Sequence, residues 1–147
     1  MWAVFVGEVE EKEAVESLLA GSDVHYLGML PREDIAAKMV ATDIFLFSST
    51  RKGESLAVVL VEAIFSGAIP VVIGNSAVRE AIPPQYHSLL ISNAGQSFQL
   101  VLENVLNLTL EQRKLISKEL RHWVAGAYEK TMVSCNLTKS IKELLYA

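Results

Sequence analysis

Two carboxylates, Glu54 and Glu62, bracket seven residues, six of them apolar. Before them lies a polar, basic loop, Ser48-Ser49-Thr50-Arg51-Lys52-Gly53, which follows the apolar run Ile44-Phe45-Leu46-Phe47. After them come Gly67, a helix-stopping glycine, and a second apolar run through Val71 and Val72. A strand, a tight loop, a helix start and a carboxylate inside the helix form a site able to hold a phosphorylated sugar. Loops at the carboxyl ends of parallel strands are where open α/β sheets bind ligands. A helix beginning near Ser55 aims free N–H groups and a positive dipole end at that loop, which suits a diphosphate. Ser55 and Ala57 are small enough for close approach of a ligand to the backbone around Leu56. Glu62 falls about two turns into that helix, on roughly the side of its start. There it can accept hydrogen bonds from a vicinal diol such as a ribose. Glu54, at the mouth, can do the same for the hydroxyls of a transferred sugar. Arg51 and Lys52 are paired cations beside the expected phosphate position. The competing reading makes Glu54 an acid favoured near a helix start, Glu62 a solvated face residue, and Arg51 and Lys52 solvated loop charges.

The elements that would position these residues are legible as alternating apolar runs and helical patterns. That alternation implies a parallel sheet with crossover helices. Strands are expected at Trp2–Val6, Val24–Leu27, Ile44–Phe47 and Val71–Ile73, with Leu89–Ile91 closing the sheet. Helices are expected at Glu11–Leu19, after Pro31 with Glu33 and Asp34 in the first turn, at Leu56–Phe65 and near Ala77–Ala81. Beyond Gly95 the pattern is helical. Phe98, Val101, Leu102 and Val105 share a face, and Thr109-Leu110-Glu111-Gln112 reads as a capping box opening a helix to about Ala127. A last helix places Leu137, Ile141, Leu144 and Leu145 together.

Composition narrows the functional classes. A chain of 147 residues has the length of one domain and can bury a real core. Apolar residues make up 51% of it and its mean hydropathy is +0.31. That surplus fits either a Leu/Val-rich α/β core or a surface that a partner covers. No apolar run approaches the roughly 20 residues of a membrane span. A net charge of −4 is the wrong sign for non-specific nucleic-acid binding. The single cysteine, Cys135, allows neither an internal disulfide nor a metal cluster. His25, His87 and His122 lack metal-ligand spacing and are expected in surface or packing roles. The start of the chain lacks the basic n-region of a signal peptide, so the cytoplasm is the expected location. Gly7-Glu8-Val9 lacks the further glycines of a dinucleotide fingerprint, and Ser48-Ser49-Thr50 lacks a hydrolase elbow.

The order and spacing of these pieces resemble the C-terminal, donor-binding domain of retaining GT-B glycosyltransferases, particularly glycosyltransferase family 4 (group 1). The resemblance rests on Asp43 through Ser49, on Glu54 through Glu62-Ala63, and on Ser66-Gly67-Ala68-Ile69-Pro70-Val71-Val72. Upstream, Val24-His25-Tyr26-Leu27-Gly28-Met29-Leu30 looks like the family's strand and base-contacting turn. Downstream, Glu80-Ala81-Ile82 stands where the family often has Glu-Ile-Ile. The likeness covers about Val4 to Ile91, and the helical tail more loosely. Two departures stand out. Ser55-Leu56-Ala57 replaces the usual Gly-Phe-Gly, and Gly67-Ala68-Ile69-Pro70 carries one residue more than Gly-x-Pro.

The resemblance implies a Rossmann-like α/β fold: a parallel sheet with flanking helices and a helical C-terminal tail, one half of a GT-B fold. It implies a single nucleotide-sugar-binding domain over residues 1–147, truncated at its N-terminus. The family's preceding strand and helix, with an Arg and a Lys on the diphosphate, would lie upstream of Met1. The implied function is binding of a nucleoside diphosphate sugar for retaining transfer of a hexose, with no metal or other cofactor. Glu54 would orient the donor sugar and act catalytically, and Glu62 would hold the ribose. The backbone at Ser55, Leu56 and Ala57 would hold the phosphates, Met29 and Leu30 would border the base, and Arg51 and Lys52 would add charge. The implied partners are the nucleotide-sugar donor and an acceptor-binding domain, in cis or on another subunit. No nucleic acid is implied, and a complete enzyme of this type can associate peripherally with membranes. The chain alone is expected to be inactive in transfer and to self-associate through the face a second domain would cover. The alternative is a noncatalytic nucleotide-binding or protein-interaction module with the same fold.

Overall fold

The computed structural model describes residues 3–48, 58–74, 76–93 and 97–128. The chain divides into two compact units, Met1–Lys38 and Met39–Ala147.

In the first unit, β1 (Ala3–Val6) pairs in parallel with β2 (Val24–Gly28), and α1 (Lys12–Leu19) connects them and packs on β2. The strands are short and rich in β-branched and aromatic residues, as a pleated, half-buried surface favours. A bulge between Phe5 and Val6 moves the register so that Val6 faces Gly28. Phe5 and Tyr26 meet with ring centroids 5.4 Å apart. The unit boundary falls within α2 (Arg32–Val40), whose first turn carries Glu33 and Asp34 as the sequence indicates.

In the second unit, β3 (Ile44–Phe47), β4 (Ile69–Ile73) and β5 (Ile91–Ser92) form a parallel sheet in the order β3-β4-β5. Ile69 through Val72 are all buried, so both faces of the middle strand are covered. The covering elements include α3 (Val58–Ser66), α6 (Phe98–Leu106) and α7 (Leu110–Tyr128), all packed on β4. Between β4 and β5 lie α4 (Ser76–Ala81), a 3-10 turn (Pro84–Tyr86) and α5 (His87–Leu90). Pro70 sits in the middle strand without breaking a ladder. The Ile69 N–H donates to Asp43 O at 2.9 Å, so alternation turns the Pro70 nitrogen away from β3. On that side β5 begins only opposite Val72, and the missing donor forfeits no bond. The result is a Rossmann-like α/β fold of parallel sheets flanked by helices. No helix among the described residues is long and apolar enough to cross a membrane.

Local signals account for most boundaries. Gly67, at φ +102°, ends α3 in a Schellman motif. Ala68 N donates to Ala63 O at 3.1 Å and Gly67 N to Ile64 O at 3.0 Å. The capping box of α7 is complete: Gln112 N donates to Thr109 Oγ1 at 3.2 Å and Thr109 N to Gln112 Oε1 at 2.8 Å. Of the shared face in α6, Val101 and Val105 are fully buried, and Phe98 and Leu102 pack against the same core. One expectation is corrected. Leu89 and Leu90 are helical, and the closing strand is Ile91–Ser92 rather than Leu89–Ile91. Pro83-Pro84 start a 3-10 turn that runs directly into α5. There the His87 ring nitrogen Nε2 lies 2.8 Å from Ile82 O and holds the turn in place. The helix start expected at Leu56 and the last helix around Leu137 to Leu145 lie outside the described residues.

The core is built on α7. Ile116, Leu120 and Val124, four residues apart, are buried against β4 and α3. Beside this stripe Tyr86 donates its phenol to Glu119 Oε2 at 2.8 Å.

Two outcomes follow from α7. Thr109→Ala removes one half of the capping box and should lower stability by about 1 kcal/mol, with Thr109→Ser retaining most of it; urea denaturation at neutral pH measures both. The Tyr86 phenol is pushed up from 10.0 to about 12, first by partial burial and then by the hydrogen bond and negative charge of Glu119. The folded state therefore holds that proton more tightly than the unfolded chain. Its share of stability is complete below pH 10 and is lost as pH rises through about 12. Tyr86→Phe should be less stable than wild type at pH 8, and the gap should narrow between pH 10 and pH 12. Urea midpoints that fall in parallel for the two proteins would contradict this assignment.

Candidate functional site

The parallel register places the carboxyl ends of β3, β4 and β5 along one edge. Phe47 faces Val72, and Ile73 faces Ser92. The residues leaving this edge are Ser48, Gly74 and Asn93. The segment that follows Ser48 carries Arg51, Lys52, Glu54, Ser55, Leu56 and Ala57, which lie outside the described residues.

Glu62 is described, on α3. Leu60, Val61, Ala63 and Ile64 of this helix are buried, whereas Val59, Glu62 and Ser66 form a half-buried stripe. Ser66 Oγ donates to the Glu62 carbonyl at 2.9 Å, which fixes the hydroxyl on that stripe. Glu62 is the only charged residue in Val58–Ser66. Glu62 lies on the side of the helix that also carries exposed Val58 and Phe65, four residues before it and three after, so it interrupts an otherwise apolar outward face. The fold thus presents this carboxylate on the helix that follows the carboxyl end of β3.

Met29 and Leu30 belong to the first unit and follow β2 directly. Their turn is defined by backbone geometry. Gly28, at φ +65°, accepts a hydrogen bond from Gly7 N at 3.0 Å, and Tyr26 Oη donates to Gly7 O at 3.0 Å. This pairing at the carboxyl ends of β1 and β2 leaves Met29 72% exposed. An unbranched apolar side chain standing in solvent beside a fixed turn is suited to lie against a flat ring. Leu30 is half-buried.

A cluster that the sequence did not disclose sits at the carboxyl ends of β4 and β5. Arg79 of α4 donates through Nη2 to Asn93 Oδ1 and lies with Nη1 3.4 Å from His87 Nδ1. His87 Nε2 faces two carbonyls, Ile82 O at 2.8 Å and Arg79 O at 3.2 Å. Nε2 must therefore carry the ring proton, and Nδ1 is the acceptor for Arg79. Gly74 makes this junction possible. Its N–H donates to Ser92 O at 2.9 Å, and a Cβ at this position would stand 2.7 Å from Ile91 Cγ2 and 3.2 Å from Asn93 Oδ1. Gly74 closing an apolar strand was the one available sequence signal. The partners of Arg79 are eight and fourteen positions away, beyond any helical spacing.

Gly74→Ala should accordingly destabilise the protein by about 1–3 kcal/mol, the usual cost of forcing a methyl group into packed surroundings. Thermal unfolding measures the loss, and the amide signal of Asn93 in NMR should shift with it. A neutral substitution would show that β4 and β5 do not approach as closely as described.

The family model of the glycosyl transferases group 1 matches residues 1–123, more than four-fifths of the chain. Comparison with curated proteins and with solved structures gave no significant match. The matched span begins before β1 and ends within α7, so it takes in both parallel sheets, Glu62 and the Arg79 cluster. By this match the chain belongs to the group 1 glycosyltransferase family.

Proposed function

We propose that this chain is the donor-binding domain of a retaining GT-B glycosyltransferase of the family 4 type, which takes a nucleoside diphosphate sugar and transfers its hexose. Family membership supports glycosyl transfer as the activity class. The observation that carries the donor-side reading is Glu62, the one charged residue of the apolar helix Val58–Ser66 that follows the carboxyl end of β3. A ribose presents two adjacent hydroxyls, and a carboxylate accepts from both at once. In this reading Glu54 orients the donor sugar, the backbone at Ser55, Leu56 and Ala57 receives the phosphates, and Arg51 and Lys52 contribute positive charge. Exposed Met29, with Leu30, borders the base.

The catalytic contribution of such a domain is electrostatic. As the bond from the anomeric carbon to the diphosphate breaks, negative charge grows on the leaving oxygen. Donors fixed in advance around that position lower the barrier without reorganising. Transfer also requires an acceptor held against the anomeric carbon, and positioning is a large part of the rate gain. The proposal therefore includes an acceptor-binding domain in cis or on a partner subunit.

Calorimetric titration with UDP, GDP and ADP should show at least one of them binding the 147-residue chain. Glu62→Ala should weaken that binding by about 1.5–3 kcal/mol, the contribution of a charged hydrogen-bond acceptor. Glu103→Ala, on the exposed side of α6, should leave it unchanged. Equal effects of the two substitutions, or no nucleotide binding at millimolar concentration, would remove the donor-domain reading.

A further inference from the structure

We propose that Arg79 is an oxyanion-binding residue: its guanidinium, held by Asn93 and His87 at the carboxyl ends of β4 and β5, receives a phosphate group of a diphosphate ligand. That the diphosphate belongs to a nucleotide-sugar donor rests on the reading above; the oxyanion site itself does not.

The first support is how Arg79 is held. Its two named partners, the Asn93 amide oxygen and His87 Nδ1, are both neutral acceptors. Among the described residues no carboxylate pairs with it. Glu80, the next residue, is engaged with α7. Its backbone carbonyl accepts from Trp123 Nε1 at 3.0 Å, and its negative charge helps to raise the Tyr128 phenol, after burial. Among the described residues the guanidinium is thus oriented by neutral acceptors alone. An arginine whose purpose is stability gains most from a bidentate carboxylate, whereas an exposed bond to a neutral amide contributes little. An arginine that must meet an anion gains from this arrangement, because its full charge is retained.

The second support is geometry. A guanidinium has five N–H donors in a planar fork. The two contacts each use one N–H, on Nη1 and on Nη2, so three remain, and Arg79 is exposed. His87 is itself locked by the Ile82 and Arg79 carbonyls, and Asn93 follows β5 directly. The fork is therefore fixed at two points before any ligand arrives, which reduces the entropy lost on binding. It stands at the carboxyl edge of a parallel sheet, where open α/β folds take ligands. Gly74 keeps β4 close enough to β5 for Asn93 to reach this position.

The decisive substitution is Asn93→Asp. It keeps the size and the acceptor for Arg79 Nη2 but supplies a carboxylate that neutralises the guanidinium. Inorganic pyrophosphate, titrated calorimetrically into the full chain at low ionic strength, should bind wild type. Asn93→Asp should weaken that binding about tenfold or more, as expected for losing a charge-assisted contact. Its melting temperature should stay at or above that of wild type, which a loss of fold would not allow. Arg79→Lys, which retains the charge without the fork, should weaken binding less than Arg79→Met, and this pair decides the matter should Asn93→Asp unfold. Failure of wild type to bind pyrophosphate, or equal binding by wild type and Asn93→Asp, would overturn the proposal. Nucleoside diphosphates and nucleosides separate it from the donor reading. Nucleotide binding sensitive to Glu62→Ala but not to Asn93→Asp overturns the Arg79 assignment alone. Pyrophosphate binding lost in Asn93→Asp, with no nucleotide binding to wild type, supports the oxyanion site and removes the donor reading.

Discussion

The last carbonyls of α3 have no partners within the helix, and the second unit is organised around supplying them. Every α-helix leaves carbonyls unpaired at its C-terminal end, and buried ones must find donors. The Schellman motif at Gly67 satisfies Ala63 and Ile64. One more, Phe65 O, is met from α7 by Arg121 Nε at 3.1 Å, and Ser117 Oγ donates at 2.7 Å to Gly67 O just past the helix, both donors standing fifty or more positions downstream. Trp123 Nε1 does the same for the Glu80 carbonyl of α4. These donors lie along α7 beside the apolar stripe of Ile116, Leu120 and Val124, so one docking event buries the stripe and completes the polar accounting. Directional bonds fix where α7 sits, and apolar burial supplies most of the driving force.

Function follows from that docking because α3 joins β3 to β4. Its C-terminal end is clamped by α7, and its N-terminal approach carries the residues that the family resemblance assigns to the donor. Glu62 lies between, on a helix held at one end and anchored in the core by Leu60, Val61, Ala63 and Ile64. A carboxylate on such a rigid support keeps its position without a loop to order. At the same edge of the sheet, Arg79 is fixed through Asn93 and His87 by the ends of β4 and β5. The scaffold thus puts its precision into helices and strand ends, where small displacements are costly, and leaves chemistry to the residues those elements present.

Hydrophobic patterning and cap chemistry are local, and the sequence displays both. Ile44–Phe47, the glycine stop at Gly67 and the Thr109–Gln112 box read directly, because each depends on neighbours within five residues. The parallel class was legible too, since strands alternating with helices leave few other solutions. The one displaced element, β5, was misplaced because Leu89, Leu90 and Ile91 are equally apolar. Short apolar runs do not distinguish helix from strand. What settles them is the 3-10 turn at Pro84 and the His87 ring bonded to carbonyls of the preceding segment.

The sequence by itself determined the family pattern, the carboxylate on α3 and the order of elements, because spacing along the chain carries all three. Only tertiary structure decided which side chains close the end of α3 and which polar groups meet at the carboxyl ends of β4 and β5. Ser117, Arg121, Arg79 and Asn93 carry no mark of their partners, which stand far off in sequence or at non-helical spacing. Their roles arise from helix-end carbonyls that need donors and from a guanidinium held by neutral acceptors, and those conditions exist only once the chain has folded.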